Sequence, residues 1–196
     1  EEMPVLAIAD ASVVGNLPSL SSADADAVRR AVRYLYDLGH RQIARVGGPE
    51  SLAHSYIRDS AFADVASELG MRYRCLHTDY TPETGREATK RLLAFSEHPT
   101  AIIYDNDVMA LAGLGVAASQ GIKVPEEISI MSWDDSLMCT AAYPNLTAMG
   151  RDVVDTGKQA AGLLLKLIGG ERVGHLMEGP YELRARASTG PAPAAE

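Results

Sequence analysis

Pro99-Thr100-Ala101-Ile102-Ile103-Tyr104-Asp105-Asn106-Asp107-Val108-Met109-Ala110 reads as an apolar strand that ends in a polar triplet and passes directly into a helix. The helical pattern runs over 108–119 and stops at Gly121, and a second apolar run, 128–131, follows and ends near Asp134-Asp135. A strand, a helix and another strand in this order predict a parallel sheet with crossover helices.

The same alternation extends in both directions. Upstream, 5–9 is a first apolar run. Ser22 can cap a helix with Val28, Ala31, Val32 and Leu35 on one face and Gly39 at its end, and 43–46 is a short strand leading into Gly47-Gly48-Pro49. Ile57, Ala61, Phe62, Val65 and Leu69 mark the next helix, closed by Gly70, and 73–76 is the strand after it. Thr81-Pro82-Glu83 supplies a cap, a proline at the first helical position and an acid at the positive helix end, ahead of Ala88, Leu92 and Leu93. Downstream, 146–149 is extended, 153–168 is helical with Gly169-Gly170 behind it, and 181–186 is a last strand. The fold class is therefore α/β. Residues 23–150 hold four strand-helix alternations, enough for a doubly wound lobe, whereas the first 22 supply one strand and a loop.

Composition narrows the function classes. With 46% hydrophobic and 22% charged residues the chain is ordinary for a globular protein, and no apolar run is long enough to span a bilayer. Glu1-Glu2-Met3-Pro4 lacks the basic start and apolar core of a secretory signal. The two cysteines, Cys75 and Cys139, have no metal-ligand spacing and read as buried free thiols. The net charge of −8 argues against a phosphate-gripping surface on this chain. There is no nucleophile elbow, no phosphate-binding P-loop and no zinc-protease motif, so the reading is of a protein without catalytic groups or cofactor.

In open α/β sheets ligands bind beyond the carboxyl ends of the strands, which directs attention to polar residues just after each apolar run. These are Asp10, His54 with Arg58, Asp105-Asn106-Asp107, and Asp134-Asp135. The acidic groups could serve as a metal site or an acid/base pair, but Asp107 and Asp135 sit where helix caps are needed. That assignment leaves Asn106 and Asp134 free to hydrogen-bond hydroxyls, as in sugar recognition. Arg58, near the start of its helix, can fork to polar ligand groups or form a surface ion pair with Asp59 or Glu50. His54 is either solvated or a contact, Tyr80 a stacking wall or a core-edge residue, and Trp133 a cleft residue or a plug beneath it.

Several segments, taken in order, carry a resemblance: Leu38-Gly39-His40-Arg41-Gln42-Ile43-Ala44, Arg58 followed by Phe62, Asn106-Asp107-x-Met109-Ala110, Gly121-x-x-Val124-Pro125-Glu126-Glu127-Ile128-Ser129, Pro144-x-Leu146-Thr147 and Arg186-x-Ser188-Thr189. Together they resemble the lactose-repressor/galactose-repressor family over nearly the whole chain. The resemblance implies a fold like the periplasmic sugar-binding proteins, with two lobes hinged about a cleft. It also implies a cytoplasmic homodimer, a small effector such as a sugar, and an operator-reading helix-turn-helix segment that this chain lacks. Implied ligand contacts are Asp10, His54, Arg58, Tyr80, Asn106, Asp134 and Arg151, and the dimer surface draws on Ala110, Leu111, Leu114 and 138–143, including Met138 and Tyr143; for the helix residues an ordinary core position is an equal alternative. Ser132 replaces a family glycine before the aromatic Trp133, which alters the pocket.

On the same basis, 1–22 and 151–180 are expected to be a remnant of the first lobe, 23–150 and 181–189 the second lobe, and 190–196 a disordered tail. An apolar sheet edge should be exposed. The rival class is a periplasmic solute-binding protein serving a transporter.

Overall fold

A computed structural model describes residues 3–194. In chain order the elements are β1 (Ala7–Ile8), α1 (Ala11–Val14), β2 (Ser19–Ser21), α2 (Asp24–Asp37), β3 (Gln42–Gly47), α3 (Ala53–Glu68), β4 (Arg72–His77) and α4 (Pro82–Leu93). They continue with β5 (Ala101–Tyr104), α5 (Asp107–Ser119), β6 (Ser129–Trp133), α6 (Leu137–Ala141), β7 (Thr147–Gly150), α7 (Val153–Ile168), β8 (His175–Met177) and β9 (Glu182–Arg184).

The strands form two sheets. One has six strands in the order β4-β3-β5-β6-β7-β9, parallel except for the β7–β9 pair, and the other has three parallel strands in the order β1-β2-β8. The register Ile43↔Ala101 and Ala101↔Ser129 aligns β3, β5 and β6 so that their carboxyl ends finish at the same level. That common level is where the polar residues collect.

Each face of the six-stranded sheet has its own core. On one side α2 and α3 bring Val28, Ala31, Val32, Leu35, Phe62 and Val65 against Ile43, Ile103, Met131 and Trp133. On the other, α4 and α5 bring Ala88, Leu92, Met109, Ala110 and Leu114 against Ala44, Val46, Ile102 and Ile130. Helices α2 and α5 end where a glycine takes a left-handed conformation, at Gly39 (φ 94°) and Gly121 (φ 72°), which an L side chain would resist.

Several expectations are corrected. Ser22 does not cap α2; the cap position is Ala23, and the Ser22 hydroxyl donates to Asp24 in the first turn, where a carboxylate meets the positive end of the helix. The short elements β2, β8, α1 and α6 had no signal in the periodicity, since three to five residues cover less than two periods of their pattern and define no repeating face. The tail is not disordered over its described part: Gly190 NH donates to Ser129 Oγ (3.1 Å) and Ala192 NH to Leu38 O (2.8 Å), which anchors it to the sheet end. Ala195 and Glu196 of that tail, like Glu1 and Glu2 of the first segment, lie outside the described residues.

Ala110 and Leu114 pack into the core beneath the sheet and have almost no surface to offer a partner, because they point down from α5 onto β5 and β6. Leu111 is half-buried, while Met138 and Tyr143 are exposed, Tyr143 by 98%. Apolar exposure concentrates on α7 (Val153, Val154, Leu165, Ile168) and on β8 (Leu176, Met177), an edge strand of the smaller sheet. No described helix is long and apolar enough to cross a membrane.

Candidate functional site

A cleft of about 390 Å³ opens where the carboxyl ends of the two sheets face each other. The structure brings Asp10, His54, Arg58, Tyr80, Asn106, Asp134 and Arg151 to its lining, together with Asp24, Asp105 and Tyr181.

Arg58 and His54 lie one turn apart on α3, so both side chains reach the same side of the helix. Arg58 is only 8% exposed, which excludes the surface ion pair. Its Nε donates to Asp24 Oδ1 at 2.6 Å, its Nη1 lies 3.6 Å from Asp105 Oδ2, and its guanidinium carbon sits 4.6 Å from the Trp133 ring centroid. Burial by itself would lower the arginine pKa, but the charges of Asp105 and Asp24 outweigh it and hold the group firmly protonated. Burial pushes the Asp24 carboxyl up, while the Arg58 charge and the Ser22 and Arg58 hydrogen bonds push it further down, leaving it below the usual carboxylate range.

Beneath Arg58 is a second buried arginine. Arg45 on β3 donates from Nη2 to Asp105 Oδ2 at 2.5 Å and from Nη1 to Asp59. Arg45 thereby takes Asp59, and Glu50, the other proposed surface partner of Arg58, lies 3.3 Å from His77. Asp105 Oδ1 is buried with no hydrogen-bond partner among the described residues.

Tyr80 and Asp134 are the only non-glycine residues of the described chain with positive φ, at 69° and 65°. A left-handed backbone costs about 1–3 kcal/mol for a bulky residue and recurs at ligand sites, where it aims a side chain. Tyr80 Oη lies 2.7 Å from His54 Nε2, and its ring covers Gly48 so closely that a Cβ there would overlap it. Burial and then the Arg58 charge lower the His54 pKa, favouring the neutral imidazole. Burial likewise raises the Tyr80 phenol.

The cap assignments at the two doublets are corrected. Asn106, not Asp107, is the N-cap of α5: its Oδ1 accepts from Met109 NH at 2.8 Å, and its Nδ2 donates to Tyr80 O at 3.1 Å. Asn106 is therefore a structural cap that also tethers Tyr80, while Asp107 is the first helical residue. Asp135 is not a cap either. Ser136 caps α6, and Asp135 accepts from Arg184 (2.6 Å) and twice from Arg186 (2.7 and 2.8 Å). Those arginine hydrogen bonds outweigh burial and keep its pKa low.

Asp134 keeps its free role. Its NH donates to Met149 O at 3.0 Å, and its carboxylate has no donor or cation within bonding distance among the described residues. Burial, partly offset by Arg58 and Arg151, raises its pKa. Of the two readings of Trp133, a cleft residue or a plug beneath it, its burial fits the plug: it is 1% exposed and lies under Arg58, its ring 5.2 Å from that of Tyr181. Arg151, at the rim, donates to Glu178. Asp10 caps α1, accepting from Ser12 NH at 2.9 Å, and borders the cleft from the smaller sheet.

Asp24 and Tyr181 were missed as site residues, and Asp105, singled out within its strand-end triplet, was given no role of its own. Asp105 adjoined the recognised Asn106, and its place at a strand end was the available signal. Tyr181 had none, since it is 157 positions from Asp24, to which its hydroxyl donates at 3.3 Å. Among the described residues no group of three histidine, cysteine, aspartate or glutamate side chains could hold a metal ion.

Two parallel sheets presenting their strand ends to a single polar cleft define a small-molecule binding domain, and the family model described as "Periplasmic binding protein-like domain" matches residues 32–189. A crystal structure of a LacI family transcriptional regulator from Bifidobacterium animalis subsp. lactis is 60% identical, with a TM-score of 0.93, over 95% of this chain and 69% of that one. The HTH-type transcriptional repressor CytR of Escherichia coli K12 is 34% identical over 88% of this chain and 52% of its own length. The dimeric Lac repressor structure is 27% identical with a TM-score of 0.87, covering 96% of this chain and 68% of that one. The chain belongs to the LacI family of transcriptional regulators, as one of its effector-binding domains. It spans about half the length of the curated relatives it matches.

Proposed function

We propose that this chain senses a small polar effector, a sugar or a related polyhydroxylated metabolite, for a regulator whose other segments read an operator. The observation that carries the reading is the cleft, where a buried arginine, an unpaired Asp134 carboxylate and an aromatic Tyr80 converge beyond the strand ends. Hydroxyl groups can accept from Arg58 and donate to Asp134, and a ring can lie against Tyr80. In this reading 1–22 and 151–180 contribute to one lobe and 23–150 with 181–189 to the other. An effector bound between them favours one interlobe angle. A homodimer formed through the side of the domain bearing Leu111, Met138 and Tyr143 passes that angle to its DNA-reading segments. The HTH-type regulators among the relatives support this reading over that of a transporter's solute-binding protein.

The test uses the intact regulator carrying Asp134→Ala or Arg58→Ala. Both variants should lose the thermal stabilisation that sugars or nucleosides confer on the parent, with operator affinity in the absence of effector unchanged. Unaltered effector affinity in both would remove this site from consideration.

A further inference from the structure

The charge inventory of the cleft goes further than its shape. Each guanidinium in or under it is already matched by carboxylate: Arg58 lies between Asp24 and Asp105, and Arg45, directly below, is shared by Asp105 and Asp59. At the rim Arg151 is paired with Glu178, whose other oxygen accepts from Thr156 Oγ1 at 2.7 Å. Asp134 and Asp10 then add two carboxylates with no ion pair of their own among the described residues, the charges of Arg58 and Arg151 reaching Asp134 only from a distance. His54 does not alter the count, because burial and the neighbouring arginine favour its neutral form.

A second observation points the same way. Asp105 is fully buried at its side chain, lines the cleft, and leaves Oδ1 without a partner. A buried carboxylate oxygen with no donor is an unmet acceptor, a state that is unfavourable until something supplies a proton or a positive charge. Any negative charge that enters would face Asp134, exposed at the cleft, and Asp105 buried at its edge, and the repulsion from the buried Asp105 is the less screened of the two.

We propose that the cleft selects against anionic ligands: its effector is a polyhydroxylated molecule without phosphate or carboxylate, and Arg58 serves as a donor to hydroxyls rather than as an anion receptor. Asp105 and Asp134 are the residues that set this charge preference. The proposal rests on the sensing function above and adds the charge class of the effector.

The experiment is a calorimetric and thermal-shift panel on the intact regulator, built from matched sets: glucose, glucosamine, glucuronate and glucose 6-phosphate; the corresponding galactose set; ribose and ribose 5-phosphate; a nucleoside and its 5′-monophosphate. Within any set that binds, the neutral or amino member should bind at least about tenfold more tightly than the anionic one. Asp134→Asn, at a solvent-accessible position, should narrow that ratio, and Asp105→Asn should narrow it further. An anionic member that binds as tightly as its neutral parent, or a ratio unmoved in Asp134→Asn, overturns the proposal while leaving the sensing function in place. Binding by no member of any set counts against the sensing function itself, and against the proposal with it.

Discussion

Replacing Arg45 by methionine should destabilise the domain more than any single change at the cleft rim. The side chain is 1% exposed, and its two carboxylate partners, Asp59 and Asp105, lose their shared cation together. Methionine fills much of the volume and removes the charge, so the loss is electrostatic rather than a cavity. Removing one member of a buried, hydrogen-bonded ion pair costs about 3–5 kcal/mol, because the remaining charge stays buried without compensation. With an unfolding entropy of roughly 2.1 cal/mol/K per residue, a chain of this length converts that loss into a fall in Tm of roughly 7–12 °C. Scanning calorimetry and urea titration measure it. The double variant Arg45→Met with Asp105→Asn removes one of the two stranded carboxylates but leaves Asp59 and takes a partner from Arg58, so it should regain only part of the loss. A Tm within about 2 °C of the parent for Arg45→Met alone would refute the argument that Arg45 anchors a buried ion-pair network with Asp59 and Asp105.

Asn106→Ala removes both the α5 cap and the Nδ2 tether to Tyr80 O, and should lower stability by about 1–2 kcal/mol in urea titration. Asn106→Ser keeps a capping oxygen and should fall between the two; equal losses for Ala and Ser would show that the cap contributes nothing. Cys75 should resist alkylation in the folded protein at pH 8, because burial, reinforced by the negative charge of Asp59, raises its thiol pKa to about 12 and leaves almost no thiolate. Mass spectrometry should find Cys75 unlabelled by iodoacetamide until urea unfolds the chain, and rapid labelling of the native protein would contradict the burial.

The local grammar of the chain carried the architecture. Runs such as 101–104 and 153–168 coincide with β5 and α7, because a full period of apolar residues bounded by glycine or a cap is a local property. Placing functional residues at strand ends also needed only the order of elements, since parallel strands joined by crossover helices must all finish on the same side of the sheet. What the sequence left ambiguous was which member of each polar doublet does which task. Asn106 caps α5 and Asp107 does not, although both residue types are good caps, because the extended backbone at Asn106 (φ −153°, ψ 166°) selects the capping position. In the same way Asp135 is drawn to Arg184 and Arg186, about fifty positions later, rather than to the helix beside it.

The sequence by itself thus determined that this is a layered α/β binding domain and roughly where its ligand groups lie. Only the tertiary structure decided that Arg58 is buried between two aspartates over Trp133, that Tyr80 and Asp134 are held in left-handed conformations, and that the cleft carries unbalanced negative charge. The physical reason is range. Backbone propensity and apolar periodicity act over a few residues, whereas charge pairing and desolvation depend on side chains such as Arg45 and Asp105, or Asp24 and Tyr181, that meet only when distant strands and helices have packed.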